Sequence, residues 1–540
     1  MNFIALSIIS FVILVALWVY HHKQHNKVKY LKEIIAIYKR QIDRMDGNWK
    51  SFEDIGAEFV DIEHAYACDL DIVGKKSLFQ FLNTTSTWHG RQAFVNDLLK
   101  PTYKNPEIQE RQKAISELAG DIDFSGKILY CLSKIGINPS VVDLVKELEN
   151  KTCFVKNKII KFLLTYIPIL SLIFIIAMFI FNQPSLYLIE TIIVTIQATA
   201  WAIGIPKTQK YLGTMIKLPY KLSSYSEAIS VLTKQKFSSE KLKQIKKHLD
   251  VASKAIKDLG KIADKMTVKQ NGLIWVIVNA LFLWDYGCAL SLEEWKNKYS
   301  SLAEGWFLTL GEFESLLSFS HLPNVCENTC LPTIAEAKNI IKAEDLGHPL
   351  LLNKIRVNNN FNLNNSIFVI SGSNMSGKTT FLRTVGINLV LAKSGSFVLA
   401  KKMNCSLFDI ATSMRIVDDL NEGTSTFYAE LKRIKSIIDL ARKQPNMVFL
   451  IDEIFKGTNS VDRLSGAKTV IEKLNALGVV GLISTHDLEL CELASTYGRI
   501  KNCSFSEYYE RNKICFDYKI KSGKSNTTNA KYLMEMLGIT

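Results

Sequence analysis

The sequence predicts an α/β domain at its C-terminal end, built around a phosphate-gripping loop, behind a mainly helical region that carries lipid-seeking helices. Three observations point there. A glycine-rich loop, "SGSNMSGKTT", lies between a short apolar run and a helical pattern. Two further apolar runs downstream, "MVFLIDEI" and "VVGLISTH", each end in chemistry-bearing side chains. Three long apolar stretches, two of them without a charge and the third carrying only Glu190, lie in the first 205 residues.

The loop comes first because its spacing is the most demanding. "IFVI" (Ile367 to Ile370) has the continuous apolar character of a buried strand, and the residues after the loop are helical. Between them Gly372, Ser373, Asn374, Met375, Ser376, Gly377, Lys378 and Thr379 fit G-x-x-x-x-G-K-[ST] in the strand–loop–helix setting that the motif needs. Glycines let backbone N–H groups turn in on phosphates, and the helix N-terminus adds its positive end. Lys378 is then placed for the β/γ phosphates and the Thr379 hydroxyl for Mg²⁺, so ATP and Mg²⁺ are the expected cofactors. Met447 to Ile454 ends in Asp452 and Glu453: the first acid suits the Mg²⁺ shell, the second the attacking water. Val479 to His486 delivers a histidine at a strand's C-terminal end, where α/β sheets place ligands, and His486 is the candidate γ-phosphate contact.

The apolar stretches define the N-terminal half. Phe3 to Tyr20 is 18 residues without a charge, followed by "HHKQHNKVKYLK". That is long enough to cross a bilayer, and it lacks the flanks of a cleaved secretory signal. Phe162 to Phe181 and Leu186 to Ile205, 20 residues each, are joined by "NQPS" and carry lysines only at their outer ends. This is the charge pattern of a membrane hairpin with both feet in the cytoplasm. Tyr187 and Trp201 are expected near the two interfaces, and Glu190 is expected to snorkel. Leu273 to Trp284 is too short to span and reads as a buried helix.

Composition agrees with a multi-domain chain facing an anionic partner. The 540 residues are 48% hydrophobic and carry a formal net charge of +14. From Lys207 to Lys269 there are 15 lysines against five acids. Within it Leu242, Ile245, Leu249, Ala252, Ile256, Leu259 and Ile262 recur at helical spacing. The basic face of that helix fits DNA, anionic headgroups or plain solvation. Of the ten cysteines only Cys326 and Cys330 are close, with no second pair to complete a zinc site, so free thiols of a reducing compartment are expected.

With these residues in view, a resemblance can be stated. "SGSNMSGKTTFLRTVG", "DDLNEGTSTFYAEL", "FLIDEIFKGTNSVD" and "ISTHDLELCELA" resemble the ATPase domain of the MutS DNA mismatch repair proteins, an ABC-type ATPase. "GHPLL" and "VNNNFNL" lie upstream as the family would have them, and "LFQFLNTTSTWHGRQAFVNDLLKP" with "IQERQKAISEL" resembles the start of the MutS core. The likeness covers roughly residues 70–119 and 272–540. It implies ATP binding by Gly372 to Thr380, Mg²⁺ on Thr379 and Asp452, a catalytic Glu453 and a γ-phosphate sensor in His486. It also implies that Ser425 and Thr426 reach across a homodimer to the partner's ATP, and that Asn459 to Asp462 run between the two sites. "LSGAK" (Leu464 to Lys468) imitates a transporter signature but follows the acidic strand, so it is expected to be an ordinary helix.

The departures from the family matter equally. Too few residues separate the first apolar stretch from the core for a mismatch-reading domain, and the sole Phe-x-Glu, Phe505 to Glu507, is near the other end. Where the family stacks an aromatic ring on adenine, the chain offers Arg356. The expected organisation is an N-terminal transmembrane anchor (1–21), a helical linker (22–69), a first core segment (70–160), a transmembrane hairpin (161–206), a helical lever with the second core segment (207–335) and the ATPase domain (336–540). The leading expectation is a multi-pass ATPase of the cell (plasma or inner) membrane, its core and ATPase domains cytoplasmic. It would couple ATP to double-stranded DNA in mismatch repair or recombination-type transactions. The alternatives are an ATP-driven machine of the ABC transporter class and an ATP-switched tether.

Overall fold

The computed structural model describes residues 2–149, 153–213, 219–415, 426–455, 460–510 and 513–525. The chain divides into two compact units, one of Met1–Thr84, Phe94–Ile122 and Leu316–Thr540, the other of Thr85–Ala93 and Asp123–Ser315.

Among the described residues the first unit holds ten strands: β1 (Thr333–Ile334), β2 (Ile340–Leu346), β3 (Asn359–Asn364), β4 (Ile367–Ser371), β5 (Lys402–Cys405), β6 (Asp409–Ser413), β7 (Met447–Asp452), β8 (Val480–Thr485), β9 (Ile500–Glu510) and β10 (Lys513–Ser522). They form a four-stranded sheet in the order β1-β5-β2-β3 and a six-stranded sheet in the order β10-β9-β4-β8-β7-β6. In the larger sheet all neighbours run parallel except β9 and β10. Every residue of β4, β7 and β8 is buried, which is why these strands read as unbroken apolar runs rather than alternating ones. Their register decides the site. Ser371 pairs with Thr485 and Asp452 with Ser484, so three strands end at one level and release their next residues at the same edge.

The first unit also contains a 45-residue helix, Asn2–Asp46. Its N-terminal half exposes apolar side chains such as Phe11 (68%) and Trp18 (67%). Its C-terminal end is docked: buried Arg44 donates to the carbonyls of Phe81 and Asn83 at 2.6 and 2.9 Å. The helix stops at Gly47, whose φ of 85° suits glycine and whose missing Cβ would lie 2.9 Å from Leu352.

The second unit is helical. Glu240–Lys265 buries Leu242, Ile245, Leu249, Ala252, Ile256, Leu259 and Ile262, the stripe expected from spacing, and packs against Pro219–Lys234. Lys243, Lys247, Lys254, Lys257, Lys261 and Lys265 occupy its exposed side. Lys158–Phe181 and Pro184–Leu212 form an antiparallel pair. Together with the N-terminal helix they are, among the described residues, the three single helices long and apolar enough to cross a membrane.

Three local expectations are corrected. Glu190 does not snorkel; it is 6% exposed and accepts a hydrogen bond from Ser171 Oγ at 2.6 Å, because the two helices bring that hydroxyl opposite it. On the same helix Trp201 is buried edge-on against Trp275, with ring centroids 5.0 Å apart. The second hairpin helix passes through Pro206 and ends at Leu212. The short helix Gly272–Phe282 is not buried: Leu273 is 73% exposed and Val276 46%, and Asn279 is its buried residue. Its apolar residues are turned out because the polar Asn279 is the one that finds partners within the unit.

Candidate nucleotide-binding site

The loop after β4 is shaped by its backbone. Gly372 has φ 154° and Gly377 φ 107°, both outside the range most side chains adopt. A Cβ on Gly372 would lie 2.8 Å from Phe505 O and 2.9 Å from Ser376 Oγ, so the loop can close only on glycine. Met375, at φ 66° and 86% exposed, forms the outer tip beside exposed Asn374. Gly377 caps the helix Lys378–Lys393, so its free N–H groups face the loop's interior and favour an anion.

Lys378 is 4% exposed and folds back over the loop. Its ammonium donates to the carbonyls of Gly372 at 2.8 Å and Ser373 at 2.9 Å, and lies 3.3 Å from His486 Nε2. Thr379 Oγ1 donates to Asp452 Oδ2 at 2.7 Å, and Ser484 Oγ donates to the other oxygen of that carboxylate. Glu453 follows in the left-handed region, φ 56°, held by N–H donation to Ser484 O and Ser484 Oγ at 3.2 and 3.1 Å. Its Oε1 lies 2.8 Å from His486 Nε2. One edge therefore collects an ammonium, a hydroxyl–carboxylate pair and a carboxylate–imidazole pair. That set suits binding of a polyphosphate with a hard divalent cation and activation of a water.

Beside Gly377 and Thr380 opens a cavity of about 310 Å³, walled by His348, Ile355, Val357, Phe381, Phe505 and Tyr518. Its size and mixed lining suit a planar heteroaromatic ring. Burial, then the Arg383 and Arg356 charges, push His348 down to about 3, so it meets a ligand as a neutral ring. Arg356 is not among the residues that wall this cavity. Its guanidinium donates to Asn358 Oδ1 at 3.3 Å and Glu327 O at 3.2 Å, and its neighbours Ile355 and Val357 face the cavity instead.

Comparison with known proteins now bears on the chain. Residues 368–539 match the family model for MutS domain V. The chain is 30% identical over 240 residues to the DNA mismatch repair protein MutS of Alkaliphilus oremlandii, covering 43% of this chain and 27% of that protein. It is 32% identical over 217 residues to the protein of that name from Shouchella clausii, covering 38% and 24%. For the Thermosipho melanesiensis protein the identity is 33% over 175 residues, covering 32% and 21%. Residues 368–539 form a MutS-related domain. The chain spans about a quarter of the length of the curated relatives it matches.

Among the residues the MutS resemblance singled out, Ser425 and Asn459 lie outside the described residues. Thr426 opens the helix Thr426–Lys443, and Ser460 to Asp462 open the helix Ser460–Ala476. Leu464 to Lys468 sit inside that second helix, as expected.

Sequence reasoning missed several supports of this MutS-type edge. Glu430 accepts from Phe455 N at 2.5 Å and so pins the strained turn after Glu453, where Phe455 also has positive φ. Arg463 holds Asp487 with two donations of 2.9 Å, fixing the residue after His486. Neither has a signal in local spacing. Glu507 does. Along β9 Cys503, Phe505 and Glu507 lie two residues apart and are buried on one strand face, and an acid on that otherwise apolar face is out of pattern. Glu507 Oε2 accepts from Ser373 Oγ at 2.7 Å and braces the loop from outside. Replacing it (Glu507→Ala) removes a charged hydrogen bond worth about 1.5 kcal/mol. The KM for ATP should then rise roughly tenfold with kcat nearly unchanged. An unaltered KM would mean that Ser373 needs no such brace.

Proposed function

We propose that the chain is a membrane-anchored MutS-type ATPase, of the ABC class, whose ATP-driven dimer closure is coupled to double-stranded DNA. The observation that carries the reading is the meeting of Lys378, Thr379, Asp452, Glu453 and His486 at one sheet edge in a MutS-related domain. Gly372 to Thr380 embrace the phosphates, and Lys378 exchanges its loop carbonyls for phosphate oxygens. The Thr379 hydroxyl and Asp452 carboxylate, already 2.7 Å apart, fit a hard cation that keeps most of its waters. They would hold Mg²⁺, which neutralises charge developing on the transferred phosphoryl group. Glu453 polarises the attacking water, and His486, between Glu453 and Lys378, contacts the γ-phosphate. Ser425 and Thr426 complete the partner's site in a homodimer.

The three long apolar helices support an anchor in the cell membrane with the rest of the chain cytoplasmic, the lysines flanking the hairpin setting its orientation. The exposed lysine side of Glu240–Lys265 is the DNA-facing element in this reading. The curated relatives are named as DNA mismatch repair proteins, and the proposed role here is in repair or recombination-type transactions.

Gel-shift titration of detergent-solubilised protein across a salt series, with homoduplex, mismatched and branched DNA, tests the partner. Affinity should fall linearly with salt on logarithmic axes, and each lysine removed from a phosphate contact should lower the slope by about 0.9. Absence of salt-sensitive binding to every duplex rules out the nucleic-acid role. Turnover that answers to hairpin mutations but not to DNA favours a transport function.

A further inference from the structure

The short helix Gly272–Phe282 presents a problem that the proposed DNA coupling leaves unexplained. From Gln270 to Trp284 the chain has 15 residues without a charge. Eleven of them form this helix, which turns Leu273 (73% exposed), Ile274 (46%), Val276 (46%) and Ile277 (48%) outward. Such a face is costly in water.

Its surroundings say what covers it. The helix packs on the hairpin, mainly on Pro184–Leu212, so its apolar face continues that of a helix pair long enough to span a bilayer. Contacts along the seam place it beside the half of that helix nearer the Lys207 end. Trp275 meets Trp201, Tyr286 Oη donates to Ala200 O at 3.1 Å, and the Tyr286 hydroxyl occupies the space a Cβ on Gly204 would need. The chain also folds back on the segment before the helix. Trp284 Nε1 donates to Lys265 O at 2.8 Å, closing a loop around the intervening residues. Leu283, at φ 48°, marks the reversal, and the next helix leaves at 75°.

The polar groups are arranged for a water-free setting. A helix end in hydrocarbon leaves carbonyls that must be satisfied internally. With its amide nitrogen turned toward them, Gln197 donates to Leu281 O and Ala280 O at 2.8 and 3.0 Å. Asn279, fully buried, donates to Trp275 O at 2.9 Å and accepts from Asp285 N at 2.9 Å. At the other end Asn271 Oδ1 caps Ile274 N at 3.3 Å. Eleven residues rise about 16 Å, half of a hydrocarbon layer of about 30 Å. Lys269 lies three residues before the helix, as a positive group at a headgroup level would.

We infer that Gly272–Phe282 is a re-entrant membrane helix, inserted into the leaflet at the hairpin's lysine-bearing end and covered by acyl chains, with entry and exit on the same side. This rests on the reading of the hairpin as membrane-spanning. It would place a bilayer-embedded element directly before the long helix Trp284–Ser320.

Full-length protein in phosphatidylcholine–phosphatidylglycerol vesicles, photolysed with a phospholipid bearing a mid-chain diazirine and mapped by mass spectrometry, tests this. Adducts should appear on the hairpin and also on Leu273 to Ile277, at least about fivefold above the soluble segment Glu240–Lys265. A labelled hairpin with residues 272–282 no better labelled than Glu240–Lys265 overturns the inference alone, and means that water or a second copy of the chain covers the face. An unlabelled hairpin overturns the membrane reading itself, and the inference falls with it.

Discussion

Glu453→Gln should lower ATP hydrolysis by roughly 10²- to 10⁴-fold while leaving nucleotide binding intact, the range expected when a positioned general base is removed. The substitution keeps size and hydrogen-bonding reach, so the distortion is small. Glu453 sits at the end of β7 with its backbone N–H fixed by Ser484 and its carboxylate 2.8 Å from His486 Nε2. A glutamine there still meets the imidazole but cannot take a proton from water. Because binding survives while turnover fails, the variant should accumulate in its ATP-bound form and, if closure is ATP-driven, as a dimer. Phosphate release and equilibrium nucleotide binding, measured side by side, decide the matter. Unchanged hydrolysis would remove Glu453 from the chemistry.

Lys378→Ala should act on the opposite quantity. Lys378 is buried, and its ammonium donates to the carbonyls of Gly372 and Ser373 and lies 3.3 Å from His486 Nε2. Phosphate oxygens are better acceptors for it than amide carbonyls. Truncating one side of such a charged contact costs about 2–5 kcal/mol. ATP affinity should therefore fall about thirty-fold to a few thousand-fold. A thermal melt matched to the wild type would show that the loop's loss, not unfolding, is responsible. Wild-type ATP affinity in this variant would mean that the loop does not grip phosphates. Together the two variants separate binding from chemistry, as neither does alone.

Much of this site was readable from local pattern. A strand, a glycine at each bend, a lysine and a hydroxyl on a helix N-terminus are neighbours along the chain, and their spacing is their geometry. Asp452, Glu453 and His486 were legible for a related reason. A fully buried parallel strand reads as an apolar run, so its first polar residue marks the sheet's edge. Glu430 escaped because nothing near it in sequence shows that its carboxylate will meet Phe455 N. Arg356 misled because residue type says nothing of which side of a turn faces the cavity.

The apolar helices divide in the same way. Length and scarcity of charge sufficed to single out the three long apolar helices among the described residues, since those quantities are summed over one segment. They could not say that Glu190 would be sealed by Ser171, or that Gly272–Phe282 would turn its apolar side out. An apolar run of that length looks the same whether buried in protein or bathed in lipid.

By itself, then, the sequence determined the phosphate loop, the strand ends and the apolar helices, all properties of contiguous residues. Only the tertiary structure decided which distant groups meet: Thr379 with Asp452 across 73 residues, Lys378 with His486 across 108, Ser373 with Glu507 across 134. Those meetings depend on sheet order and register, which are set by the packing of many residues at once and leave no local trace.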